Sequence, residues 1–183
     1  MKKLRNNYPD IYPAGPTYIR GIKSGNTLYI SGITANNSNA QYKDIMSQLD
    51  VILDRITKIV HSEGGESSDI VSMTTYIVES EMPKFWPIND QQQQIWTKYF
   101  KGEWPTNSYI GIPCLATPEM KIEITATTIL DWSIYPNYME KQMKKLDYSS
   151  LISKNAPLPI ESPPGLSMDG SKKSKYIFSI TYT

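Results

Sequence analysis

The sequence predicts a domain of interleaved strands and helices in the order β β α β α β β, with an extension of different character behind it. Three observations carry this. Two β-branched runs flank Gly25-Asn26, apolar residues recur at helical spacing from Ile45 to Val60, and residues 105–130 (PTNSYIGIPCLATPEMKIEITATTIL) read as two strands joined by a proline-marked loop. A chain of 183 residues suits one domain plus an appendage, a single core being usual at roughly 100–200 residues. The boundary is placed after residue 131, with the extension over 132–183.

Residues 1–16 are polar and then punctuated by Pro9, Pro13 and Pro16, which predicts an irregular arm. Residues 17–23 (TYIRGIK) form a first strand on which Tyr18 and Arg20 share a face, and SGN turns the chain into a second strand over 27–34. A helix follows a polar loop, with Leu49, Ile52, Leu53, Ile56, Ile59 and Val60 on one stripe and Gly64-Gly65 as its stop. His61 falls on the opposite side of that helix, the solvated side. Residues 69–78 form a third strand. Pro83 then opens a second helix running to about Phe100, with Phe85, Ile88, Ile95, Trp96, Tyr99 and Phe100 on one side; Asn89 and Gln92 share that side, as hydrogen-bonded groups in the core or at an interface. The QQQQ run at 91–94 continues the helix, and Gly102 and Pro105 end it.

In the last strand of the domain a period of two places Ile122, Ile124, Ala126 and Leu130 on one side and Glu123, Thr125 and Thr127 on the other. The second set is polar without a run of charge, which suits a wet cleft or a subunit interface. In the extension, residues 135–146 have the pattern of a short helix, 156–170 are proline-rich, and the terminal KYIFSITYT is strand-like. That strand echoes LYISGIT near the start, as a decayed partial repeat or by chance.

Charge and composition exclude several classes. Nineteen basic against eighteen acidic residues give +1, so nothing points to nucleic acid or a membrane surface. One cysteine, Cys114, makes no internal disulfide, and one histidine makes no zinc cluster. No apolar run is long enough to span a bilayer, so the chain is expected to be soluble and cytoplasmic, without cofactor or metal, and the sequon at Asn36 unused. Cys114 has no base nearby in sequence that would make it a nucleophile.

The pieces GPTYIRGI, GNTLYISG, the helix ending in GG before DIV, TTYIVES, FWPIN, PTNS and KIEITA occur in an order that resembles the RidA (YjgF) family of enamine/imine deaminases, over about residues 12–130. The resemblance implies an α+β subunit of the RidA/chorismate mutase-like class, in which a mixed sheet packs two helices on one face. It implies a homotrimer with the sheets facing inward and clefts between subunits that hydrolyse small unsaturated amines to 2-keto acids and ammonia. It also implies that Glu123 positions water and handles protons, and that Tyr18, Ser31, Gly32 and Asn89 line the cleft.

The sequence departs from the family in PTNS. Asn107 stands where the deaminases carry an arginine for the substrate carboxylate, and Tyr109 stands where many members have a cysteine. The second helix is about one turn longer than the family pattern. Arg20 is expected either to take over the missing charge or, more simply, to be exposed in an ion pair. Three roles follow: a hydrolase of altered specificity using Glu123 and Asn107 with Tyr109 beside them, a trimer that binds a metabolite without turnover, or an assembly module docked through residues 132–183.

Overall fold

Helix α1 (Ile45–Ser62) forms where the apolar spacing places it, and both ends have a physical cause. Asp44 caps the start by accepting hydrogen bonds from the Met46 and Ser47 amides at 2.9 and 3.0 Å. The Ser47 hydroxyl and these amides hold the Asp44 carboxyl below its ordinary range. At the other end Gly64 takes φ 87°, a left-handed turn that costs a glycine little. Every residue of the expected stripe is buried.

The computed structural model describes residues 2–131; the short helix, proline-rich stretch and terminal strand expected over 132–183 lie outside them. Within the described residues one mixed sheet has the order β1-β2-β3-β6-β4-β5, formed by β1 (Lys3–Asn6), β2 (Gly21–Ser24), β3 (Thr27–Ile33), β4 (Ile70–Val78), β5 (Thr106–Ile112) and β6 (Ile122–Ile129). Only β4 and β5 run parallel, the link between them carrying α2 (Met82–Phe85) and α3 (Asp90–Phe100). Helices α1 and α3 cover one face, where Leu28, Ile33, Ile77, Ile122 and Ile124 lose all contact with water. This is the α+β architecture expected, with corrections to three elements.

The arm is not wholly irregular, since Lys3–Asn6 adds an edge strand antiparallel to β2. Residues 17–20 are not strand, because Arg20 turns inward there and β2 begins at Gly21. The second helix is broken. Pro87 cannot donate a backbone hydrogen bond and forces its predecessor out of the helical region, so Trp86 sits at φ −132°, ψ 130° and α3 restarts at Asp90. Treating Pro83 as a helix start leaves Pro87, four residues later, out of account. His61 is exposed as expected and lies 3.1 Å from Glu66.

Glu63, just past α1, ties the arm and the first hairpin to the helix. It pairs with Lys23 at 2.8 Å and accepts from the Tyr8 hydroxyl at 3.0 Å and from the Asn6 amide. Burial pushes its carboxyl up, but these partners, Lys23 foremost, outweigh burial and hold it below the ordinary 4.5. Glu63→Gln is expected to destabilise the fold by about 3 kcal/mol, as removal of one partner of a buried pair does. The sign follows from the depressed folded value: the stabilisation is complete above the ordinary range and is lost as pH falls through the folded value. Urea melts of the native chain should therefore weaken below pH 4.5 more steeply than those of the variant.

Candidate functional site

Alternation along β6 turns Glu123 away from the helices onto the open face of the sheet, with Thr125 and Thr127 beyond it. The register sets Tyr76 of β4 directly opposite Glu123, and Thr74 opposite Thr125. On its other side Glu123 lies against Gly32, in the bulge that interrupts the β3–β6 ladder between Ile30 and Ile33. A Cβ at Gly32 would come within 2.1 Å of Glu123 Oε1, so only glycine lets the carboxylate lie there. Among the described residues no donor hydrogen-bonds this carboxylate. Burial raises it above its ordinary range, opposed by the nearby charge of Arg20.

Arg20 is completely buried, and this overturns the exposed ion pair expected from the sequence. Its guanidinium donates to backbone carbonyls: Nε to Tyr12 at 3.3 Å, Nη1 to Gly32 at 3.2 Å and Nη2 to Pro13 at 3.0 Å. Its backbone carbonyl accepts from the Ser31 amide at 3.0 Å. The carbon at the centre of the guanidinium lies 4.0 Å from the Tyr12 ring centre and 5.1 Å from that of Tyr18. A second buried arginine, Arg55 of α1, approaches Tyr12 at 4.5 Å and donates to the carbonyls of Thr34 and Asn36. Arg20 thus fixes the Ser31-Gly32 bulge from below, while Tyr18 stays half exposed at its rim and the Ser31 hydroxyl is buried without a partner.

Asn107 and Tyr109 do not join this group. They pair with Met73 and Thr75 of β4, both buried, so their side chains project on the helix side of the sheet. Strands β5 and β6 are consecutive in the chain. In the sheet β4 separates the two strands, and the side chains occupy opposite faces. Asn107 Oδ1 accepts from the Thr75 hydroxyl at 3.0 Å. Burial raises Tyr109 despite Asn107, so its hydroxyl keeps its proton.

These two residues, with Ile88, Gln93, Trp96, Trp104 and Pro105, line a cavity of about 460 Å³ between α3 and the edge strand β5. Asn89 stands near it in a structural role, capping α3: it accepts from the Gln92 amide at 2.9 Å and donates to the Lys84 carbonyl at 3.2 Å. Gln92 is fully buried, as its place on the apolar side required, but neither atom of its side-chain amide has a partner.

The structure therefore gathers Tyr18, Ser31, Gly32 and Glu123 on one side of the sheet and Asn107 and Tyr109 on the other, with Asn89 at the edge of the second group. Sequence reasoning missed the buried cluster of Arg20, Arg55 and Tyr12 and the tryptophans of the cavity. Arg55 carried a signal, since it lies three residues after Ile52 and four before Ile59, on the apolar stripe itself. Cys114 is exposed, and among the described residues no cluster could hold a metal and no helix is long and apolar enough to cross a membrane.

The chain is similar to a RutC family protein of Sulfurisphaera tokodaii, 33% identical over 103 residues that make up 55% of this chain and 77% of that protein. Among solved structures it is similar to yeast Mmf1 (TM-score 0.61, 17% identity, 71% of this chain and all of that one) and to a Mycobacterium tuberculosis member of the YjgF/YER057c/UK114 family (TM-score 0.57, 18% identity, 70% and 100%). These two share the fold. Residues 10–130 match the Endoribonuclease L-PSP family, and the chain accordingly belongs to that family, the YjgF/RidA group that its motifs resemble.

Proposed function

We propose that this chain is a hydrolase of the enamine/imine deaminase type, working in clefts where the open face of one copy meets the aromatic cavity of the next. The observation that carries the reading is Glu123. A half-buried carboxyl raised above its ordinary range, with no donor among the described residues, suits a group that takes and returns a proton. A carboxylate that served only the fold would be expected to have its hydrogen bonds filled, as Glu63 has.

Two copies are invoked because one copy keeps its halves apart. Glu123, Gly32 and Tyr18 would come from one subunit and Tyr109 with Asn107 from its neighbour, in a closed ring of three. Asn107 already accepts from Thr75 through its Oδ1, which leaves its amide N–H groups for the ligand or for the Tyr109 hydroxyl two residues along the strand. Among the described residues no cation lines the cavity, so the substrate differs from the usual 2-imino acids. The setting is the cytoplasm.

The test is ammonia release from imines generated in situ by an amine oxidase, with an uncatalysed control. Acceleration by the native chain supports the reading, and rates equal to the control for every imine overturn it. Mixed rings test the shared cleft. Chains carrying Glu123→Gln and chains carrying Tyr109→Ala, each impaired alone, should regain part of the activity when co-expressed, because some clefts then combine two intact halves. Saturable binding without ammonia release would instead favour a metabolite-binding trimer.

A further inference from the structure

We infer that the cavity between α3 and β5 selects a planar, uncharged ligand that carries a hydrogen-bond acceptor, such as an aromatic or heteroaromatic amide, carbonyl or imine, and discriminates against carboxylates. The inference rests on the proposed function only in naming the substrate class of the same cleft.

Shape gives the planarity. Trp96, Trp104 and Tyr109 furnish three aromatic walls, with Ile88 and Pro105 completing the apolar surface. A volume of about 460 Å³ accommodates a ring, being inside the usual small-molecule range of roughly 300–1,000 Å³. The rings are braced from behind: Trp96 stacks on Phe100 at 5.4 Å, and Tyr109 meets Phe85 edge-on at 5.5 Å. A flat ligand slides between such surfaces with little entropy left to lose.

Charge gives the neutrality. None of the seven lining residues is ionised: the polar ones are Gln93, Asn107 and Tyr109, and the tyrosine keeps its proton because burial disfavours the phenolate. A carboxylate entering here would surrender its hydration for neutral donors, at a cost that only a cation or several charge-assisted bonds repay. A neutral acceptor faces no such loss. The Gln93 amide and the Tyr109 hydroxyl, both in the lining, offer donors to an acceptor atom on a bound ring.

Benzamide and benzoate test the inference, because they share shape and differ in charge. Titration calorimetry on the full native chain should find benzamide bound at least about tenfold tighter than benzoate. Trp104→Ala should weaken benzamide about tenfold, and Asn107→Arg should reverse the preference. Equal or tighter binding of benzoate to the native chain overturns the inference, as does benzamide affinity indifferent to Trp104→Ala. Circular dichroism of each variant shows whether it is folded, and the native comparison decides the question even where a variant is not. The binding preference needs no turnover. A chain that prefers benzamide but releases no ammonia contradicts the catalytic reading alone; one that is active yet prefers benzoate contradicts this inference alone.

Discussion

Glu123→Gln should lower ammonia release by about 10²–10⁴-fold, the range that a positioned proton-transfer group contributes. The substitution is nearly isosteric, so the close approach over Gly32 and the pairing of β6 with β3 and β4 persist, and the variant should melt with the native chain. The pH profile adds a readout that a structural role would not move. Burial raises the Glu123 carboxyl above 4.5, so if it acts as the base the acid limb of kcat/KM lies above that value, with activity appearing as pH rises through it. Unchanged turnover in the variant would remove Glu123 from the mechanism.

Arg20→Met is the substitution expected to damage the fold most. It leaves the Tyr12, Pro13 and Gly32 carbonyls without their charged donor inside the protein. Hydrogen bonds to charged groups are worth about 1.5–3 kcal/mol each, so a loss of at least 3 kcal/mol is expected in urea unfolding, with the slope unchanged. Arg20→Lys should recover little, because one ammonium cannot reproduce a planar fork that reaches three separate carbonyls. Where enough folded protein remains to assay, the acid limb of the rate profile should move further up, since Arg20 is the charge that now holds Glu123 down. A variant as stable as the native chain would show that water replaces the guanidinium without loss.

Much of the fold was legible because it rests on local chemistry. The stripe of α1, the Gly25-Asn26 turn and the alternation along β6 are periodic signals, and the structure repeats them nearly residue for residue. The pieces that failed depend on partners distant in sequence. Lys3–Asn6 has no strand pattern of its own and becomes a strand because β2 offers it an open edge. Arg20 reads as a surface residue until twelve residues of chain bring Gly32 beside it. For the candidate site, alternation placed Glu123 on the open face of β6, but the strands that come to lie beside it were not legible. Asn107 and Glu123 are sixteen positions apart, but β4, inserted between their strands, and one parity of side-chain alternation put them on opposite faces. The break at Trp86-Pro87 is written in the sequence itself, since a proline four residues past Pro83 cannot continue the helix.

The arm between β1 and β2 has no repeating structure, and conventional expectation makes such a segment the first to yield to proteases and amide exchange. Its carbonyls nevertheless act here like the ligands of a chelate, gathered at Tyr12 and Pro13 around a guanidinium that also grips Gly32. Tyr8 and Ile11 are buried beside them. Opening the arm would expose a cation with nothing to replace its oxygen donors until water arrives. Proteolytic cleavage at Tyr12 and Pro13 should therefore wait on the release of this guanidinium and run at rates close to those of global unfolding.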